Sequence, residues 1–121
     1  MKYLLLVHHN EESFSKMSEG TRNSMLKESI QLCHQLQGKG HYVHASPLQP
    51  VATATVVQVR DGKRSVTDGP FIETREQLAG YFLVDAQDLD EAIDIAGRIP
   101  GARIGAVEVR PIREIEGLPD E

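Results

Sequence analysis

Apolar and polar positions along this chain fall into two periods, and the switches between them predict the order of its elements. Residues 3 to 8 are a run of aliphatic and aromatic side chains that predicts a buried strand, ending where the polar Asn10-Glu11-Glu12-Ser13 begins. After a loop, Ser18 can cap a helix in which Met25, Leu26, Ile30, Leu32, Cys33 and Leu36 recur at three- and four-residue spacing. Gly38 and Gly40 stop that helix. Tyr42 to Ser46 predicts a short second strand, and Pro47 and Pro50 bracket the turn after it. From Thr53 to Arg60 the chain is strand-like, with Val57 and Val59 on one face and Val56, Gln58 and Arg60 on the other. Asp61-Gly62 then reverses it and Arg64-Ser65-Val66-Thr67 returns, which predicts a β-hairpin.

The pattern resumes at Ala79 to Asp85 as another strand, followed by Asp88 with Glu91 three residues on, a capping-box spacing. Leu89, Ala92, Ile93 and Ala96 share one side of the helix that follows, Pro100-Gly101 ends it, and Ala106 to Ile112 makes the last strand. Strand, helix, strand, hairpin, strand, helix, strand is an α+β order: a split βαβ arrangement with an extra β-hairpin. Two helices on one face leave the other face of the sheet uncovered, with alternating Val and Leu side chains on it. A second copy of the chain is the economical cover. Residues 1–113 read as a single domain, and the acidic tail over 114–121 is expected to fray.

Between the hairpin and the next strand lies Thr67-Asp68-Gly69-Pro70-Phe71-Ile72-Glu73-Thr74-Arg75-Glu76-Gln77-Leu78, the segment richest in special backbone chemistry. An Asp can bond the backbone two residues on, Gly reaches dihedrals closed to other residues, and Pro fixes its own φ and restricts the residue before it. Such a turn sets the exit angle of the hairpin and is expected to anchor Phe71 in the core. Together with Gly80-Tyr81-Phe82-Leu83-Val84-Asp85, Asp88-Leu89-Asp90-Glu91-Ala92 and Val107-Glu108-Val109-Arg110-Pro111, the segment resembles the DGPF-domain branch of the YCII-related family, closely over residues 53–112 and more loosely over 1–52. The resemblance implies a ferredoxin-like fold of the dimeric α/β-barrel superfamily, a homodimer with sheets packed face to face, and clefts at or near that interface. It implies little about activity. Relatives in the wider superfamily are associated with a His-Asp pair and, in one branch, with elimination chemistry on a chlorinated aromatic. There the His lies on the first helix; counting back from the corresponding Ala45-Ser46-Pro47 lands near Ser29, with no His, so that pair does not carry over. Other relatives occur beside or fused to extracytoplasmic-function sigma factors, which implies a transcription-linked accessory role. The chain itself has no sigma-factor region.

Composition narrows the classes. At 121 residues the chain can bury roughly two thirds of the surface its unfolded form exposes, so it needs neither a metal nor a disulfide to fold. Its single cysteine, Cys33, sits among Ile30, Leu32 and Leu36 and reads as a small hydrophobe rather than a nucleophile. A net charge of -5 without a basic stripe argues against direct nucleic-acid binding, which depends on cations neutralising phosphates. The apolar run at the N-terminus is too short for a signal peptide, and nothing approaches the length of a membrane span, so a cytoplasmic protein is expected.

No CxxC pair, HExxH, phosphate-cradling glycine loop or Ser-nucleophile elbow is present, and no cofactor or metal is expected. His8 and His9 end the first strand on opposite faces, so at most one faces a given cleft; His34 and His41 read as structural or solvated. His44, between Val43 and Ala45, is the histidine expected to be partly buried. Asp68 either closes its turn through an Asx-type bond or serves as a general base, with His44 as the second catalytic candidate. Glu73, Arg110, His9 and Arg60 are the ligand-binding candidates, although Glu73 and Glu76 can equally cap or pair with Arg75. Arg60, Glu108 and Arg110 are interleaved with valines and either line a cleft or emerge at a sheet edge. Arg110 beside Glu108 could hold a small anionic ligand. The preferred reading is a small-molecule-binding domain. Its alternatives are a cofactor-independent lyase or hydrolase and a structural interaction module.

Overall fold

A computed structural model describes residues 1–119. These residues form six strands: β1 (Lys2–His9), β2 (Tyr42–Pro47), β3 (Thr55–Arg60), β4 (Lys63–Asp68), β5 (Gln77–Asp85) and β6 (Ala106–Pro111). Three helices accompany them: α1 (Glu11–Ser15), α2 (Glu19–Gly38) and α3 (Leu89–Gly97). Four strands make one antiparallel sheet in the order β2-β5-β1-β6, the ferredoxin-like arrangement, and among the described residues β3 pairs only with β4.

The central place of β1 follows from its apolar run. Tyr3, Leu5 and Val7 alternate toward the helices and are buried, while Leu4 and Leu6 point to the other face and are half-buried. Phe82 and Val84 of β5 lie beside them, opposite Leu5 and Tyr3. From the helical layer Leu32 and Leu36 of α2, and Ala92, Ile95 and Ala96 of α3, complete the core with Ile99. Each fully buried Leu, Ile or Val contributes roughly 1.5–3 kcal/mol relative to exposure.

Both predicted caps form. The Ser18 side chain accepts from the Thr21 amide at 3.1 Å, and Asp88 accepts from the Glu91 amide at 3.0 Å. The Glu91 carboxylate reaches back to the Gln87 amide at 2.7 Å, closing the reciprocal half one residue earlier than the usual box. The buried stripe of α3 is rotated from the predicted one: Ile95 takes the inner position and Leu89 and Ile93 are about half exposed. Asn10 to Ser13, read from sequence as a loop, begins α1, where Asn10 accepts from the Ser13 amide at 2.8 Å. Five residues are too few to show a period. Residues Val51–Thr53 form a single 3-10 turn, so β3 starts at Thr55 rather than Thr53.

The hairpin turn has positive φ at both Asp61 (53°) and Gly62 (73°), the mirror-type turn that an Asp-Gly pair favours. At its base Gly69 has φ 98° and donates its N–H to the Ala54 carbonyl at 2.7 Å. The glycine's dihedral freedom is therefore used. Phe71, by contrast, is not anchored in the core: it is 68% exposed, because the chain leaves the hairpin through an irregular segment that runs clear of the helical layer. Among the described residues no helix is long and apolar enough to cross a membrane.

Candidate functional site

Between α2 and the inner face of the sheet lies a cavity of about 230 Å³. Val7, Ala45 and Phe82 line it from the sheet, Met25, Leu26, Ser29, Ile30 and Cys33 from α2, and Ile99, Pro100 and Ile104 from the segment after α3. Its origin lies in α2. Of the apolar positions on that helix only Leu32 and Leu36 are fully buried, and the N-terminal half of the stripe stands off the sheet with Leu26 and Ile30 half exposed. A helix whose apolar face is wider than its contact leaves a gap, here a mostly apolar cleft that opens to solvent beside Leu26 and Ile30.

His9, Phe14 and Arg22 line the cavity from the α1 side. Alternation along β1 sends His8 to the open face, where its Nε2 lies 3.6 Å from Glu108, and sends His9 toward the helices. The His9 ring stacks on Phe14 with centroids 4.4 Å apart and planes at 16°. Desolvation holds the His9 imidazole below its ordinary value of 6.5, against an upward pull from Glu11 and Glu76. It is therefore neutral at pH 7, with one nitrogen donating and the other accepting. Burial likewise pushes the Cys33 thiol up, which keeps it protonated and poorly nucleophilic.

The surroundings of His9 are fixed by local bonds. Asn10 donates its side-chain amide to the Arg75 carbonyl at 2.8 Å, Gln77 Oε1 accepts from the Glu11 amide at 2.9 Å, and the Glu11 carboxylate accepts from the Val51 amide at 3.0 Å. These tie α1 to the segments on either side of the hairpin. The Arg22 guanidinium is occupied in donating to the Ser15 and Met17 carbonyls, which fixes the joint between α1 and α2. Farther along, Arg103 grips Glu28 through two bonds of 2.9 Å and ties α2 to the turn after α3.

Because the folded pKa of His9 is depressed, the unfolded chain takes up this proton at a higher pH than the folded chain. The stability contribution of His9 is complete above 6.5 and is lost as pH falls through that value to the folded one. His9→Phe keeps the aromatic stack and removes the proton. The loss of melting temperature between about pH 7.5 and about pH 5.5 should be smaller in this variant than in the parent; an equal loss would show that His9 is not desolvated.

The other predicted site residues lie elsewhere. Asp68 and Arg60 are exposed on the hairpin and Glu73 is exposed in the loop beyond it. No hydrogen bond to the Asp68 carboxylate is found among the described residues, so the expected Asx-type bond is replaced by the Gly69-to-Ala54 backbone bond. His44 is exposed rather than partly buried, because alternation places it on the open face of the sheet. There its Nδ1 is 2.7 Å from the Tyr81 hydroxyl and the two rings stack at 5.7 Å. Arg110 shares that face, opposite Leu4, and Glu108 pairs with His8 rather than with Arg110. Of the predicted residues only His9 lines the cavity. Phe14, Arg22 and Ser29 were missed, and nothing in a helical repeat distinguishes positions that line a gap from positions that fill a core. Among the described residues no group of three or more His, Cys, Asp or Glu is placed to hold a metal ion.

Compared with known proteins, residues 1–116 match the model of the YCII-related domain. An uncharacterized protein of Rhizobium meliloti (strain 1021) is 32% identical over 114 residues, covering 93% of this chain and 92% of the relative.

Proposed function

The chain belongs to the YCII-related domain family, and from that premise we propose that it binds a small, neutral, ring-sized molecule in the cavity between α2 and the sheet. The observation that carries this reading is an apolar space of about 230 Å³ with a neutral imidazole on its wall. A dry cavity of roughly 150 Å³ accommodates benzene, so this one has room for a substituted ring or a small bicycle. A charged ligand fits less well. It would lose its hydration among aliphatic side chains, and the nearby cation, Arg22, already serves two carbonyls. His9 can instead donate to or accept from a single hydroxyl or carbonyl on the ligand.

A second reading is favoured by the same imidazole: a neutral base at pH 7 beside an apolar pocket can remove a proton from a bound substrate without a cofactor. Binding comes first in either case. A fluorescence titration with 2-naphthol, a bicyclic phenol, tests it. Saturable one-to-one binding that weakens at least about tenfold in His9→Ala, which removes both the ring stack and the polar partner, is the expected result. Absence of saturation up to millimolar concentration would contradict it.

A further inference from the structure

The space between α2 and the sheet is longer than a ring requires. On α2 its lining runs from Arg22 through Met25, Leu26, Ser29 and Ile30 to Cys33, about three turns and roughly 16 Å at the rise of a helix. The floor agrees with this length. His9 lies across from Gln77 at one end, and Phe82, which also lines the space, lies across from Leu5, roughly 13 Å back along β1 at the rise of a strand. Polarity is graded along the same axis. Arg22 and His9 stand at one end, whereas Cys33, Phe82 and Ile99 close the other with no charged side chain there among the described residues. Phe82 and Ile99 are core residues, and Leu26 and Ile30, each 50% exposed, edge the middle.

We propose that the ligand of this site is an elongated amphipath, with one hydroxyl or carbonyl at His9 and an unbranched apolar chain lying along α2 toward Cys33 and Ile99, as in an alkyl-substituted phenol. The inference rests on the binding of a ring-sized molecule proposed above and extends it from the head of the ligand to its whole shape. A ring alone fills the His9 end, where Phe14 already stacks on the imidazole, and leaves the Cys33 end unoccupied. Water finds few partners there: the Ser29 hydroxyl is turned back to the Met25 carbonyl at 3.0 Å, and a thiol is a weak donor. An alkyl chain meets the same walls without needing hydrogen bonds, and it covers the apolar surface that Leu26 and Ile30 otherwise leave in water. A second polar group at the far end would be desolvated without a partner, so the ligand carries its polarity at one end only.

Isothermal titration of the full chain with 4-ethylphenol, 4-hexylphenol and 2-naphthol tests this. Each buried methylene strengthens binding by roughly threefold to fourfold, so 4-hexylphenol should bind at least about tenfold more tightly than 4-ethylphenol, with one molecule per chain. Cys33→Leu fills the far end and should reduce that ratio to below about threefold. In nuclear magnetic resonance spectra the Ile99 methyl groups should shift with 4-hexylphenol and stay in place with 4-ethylphenol. Saturable binding of 2-naphthol without the tenfold gain, or with a gain that survives Cys33→Leu, overturns the proposal and leaves ring binding standing. Absence of binding by all three compounds overturns both. Should Cys33→Leu not fold, the Ile99 resonances decide, and methyl groups that 4-hexylphenol leaves unmoved overturn the proposal equally.

Discussion

Gly105→Ala is expected to lower stability by roughly 2–4 kcal/mol and to disturb the ligand site with it. Gly105 precedes β6, and a Cβ there would lie 1.9 Å from the His8 carbonyl oxygen and 3.0 Å from the His9 Cα. Both obstacles are backbone, which cannot rotate away as a side chain can. The end of β1 would have to move, yet His8 is held opposite both Leu78 and Ala106. The cost is therefore met by broken strand pairing. Against a total stability of about 5–15 kcal/mol, such a loss is a large fraction. Because the displaced residues include His9, binding of 2-naphthol should fall as well. A urea denaturation series checks the claim. Gly97→Ala is the control, since nothing lies within 4 Å of its Cβ position and Ala is the better helix former. Equal midpoints for the two variants would mean that β1 and the turn before β6 do not pack as described.

Ser29→Phe is expected to do the opposite to stability and the same to binding. Ser29 lines the cavity from α2 and its hydroxyl donates back to the Met25 carbonyl at 3.0 Å, a bond within the helix that contributes little. A phenyl ring in its place can turn into the empty volume and meet Ile99 and Phe82. Filling such space commonly stabilises by about 0.5–2 kcal/mol. The same ring occupies the ligand's position, so affinity for 2-naphthol should drop by about 100-fold or more, a difference of roughly 2.8 kcal/mol. A raised melting temperature with abolished binding identifies the cavity as the site; unchanged binding removes it.

Much of the fold was legible because its signals are local. The alternation in β1, the spacing from Met25 to Leu36, the Asp61-Gly62 turn and the Asp88–Glu91 cap each dictate a short-range geometry that tertiary packing had no reason to override. The errors occurred where a choice is settled only by packing. Ile95 and Ile93 are equally apolar, and which of them faces inward depends on how α3 is rotated against β6. Phe71 follows a strongly shaped turn, but the turn sets a direction without supplying a surface to receive the ring. The site was legible only at His9. Asp68, Glu73, His44, Arg60 and Arg110 attracted attention as charged or titratable groups among apolar ones, and period-two alternation carries strand residues of that kind to the solvent face as readily as into a cleft. A cavity is an absence of side chains, and no residue type marks it.

The central claim is that the space between α2 and the sheet receives a ligand, with His9 as its polar contact. Its most direct measurement is a nuclear magnetic resonance titration of the full chain with 2-naphthol, following methyl and imidazole resonances. Shifts are expected to concentrate at Val7, Met25, Leu26, Ile30 and Ile104 and at the His9 ring, with Leu4, Leu6 and the His44 ring unmoved. Shifts on the open sheet face, or none at the cavity, would contradict the claim.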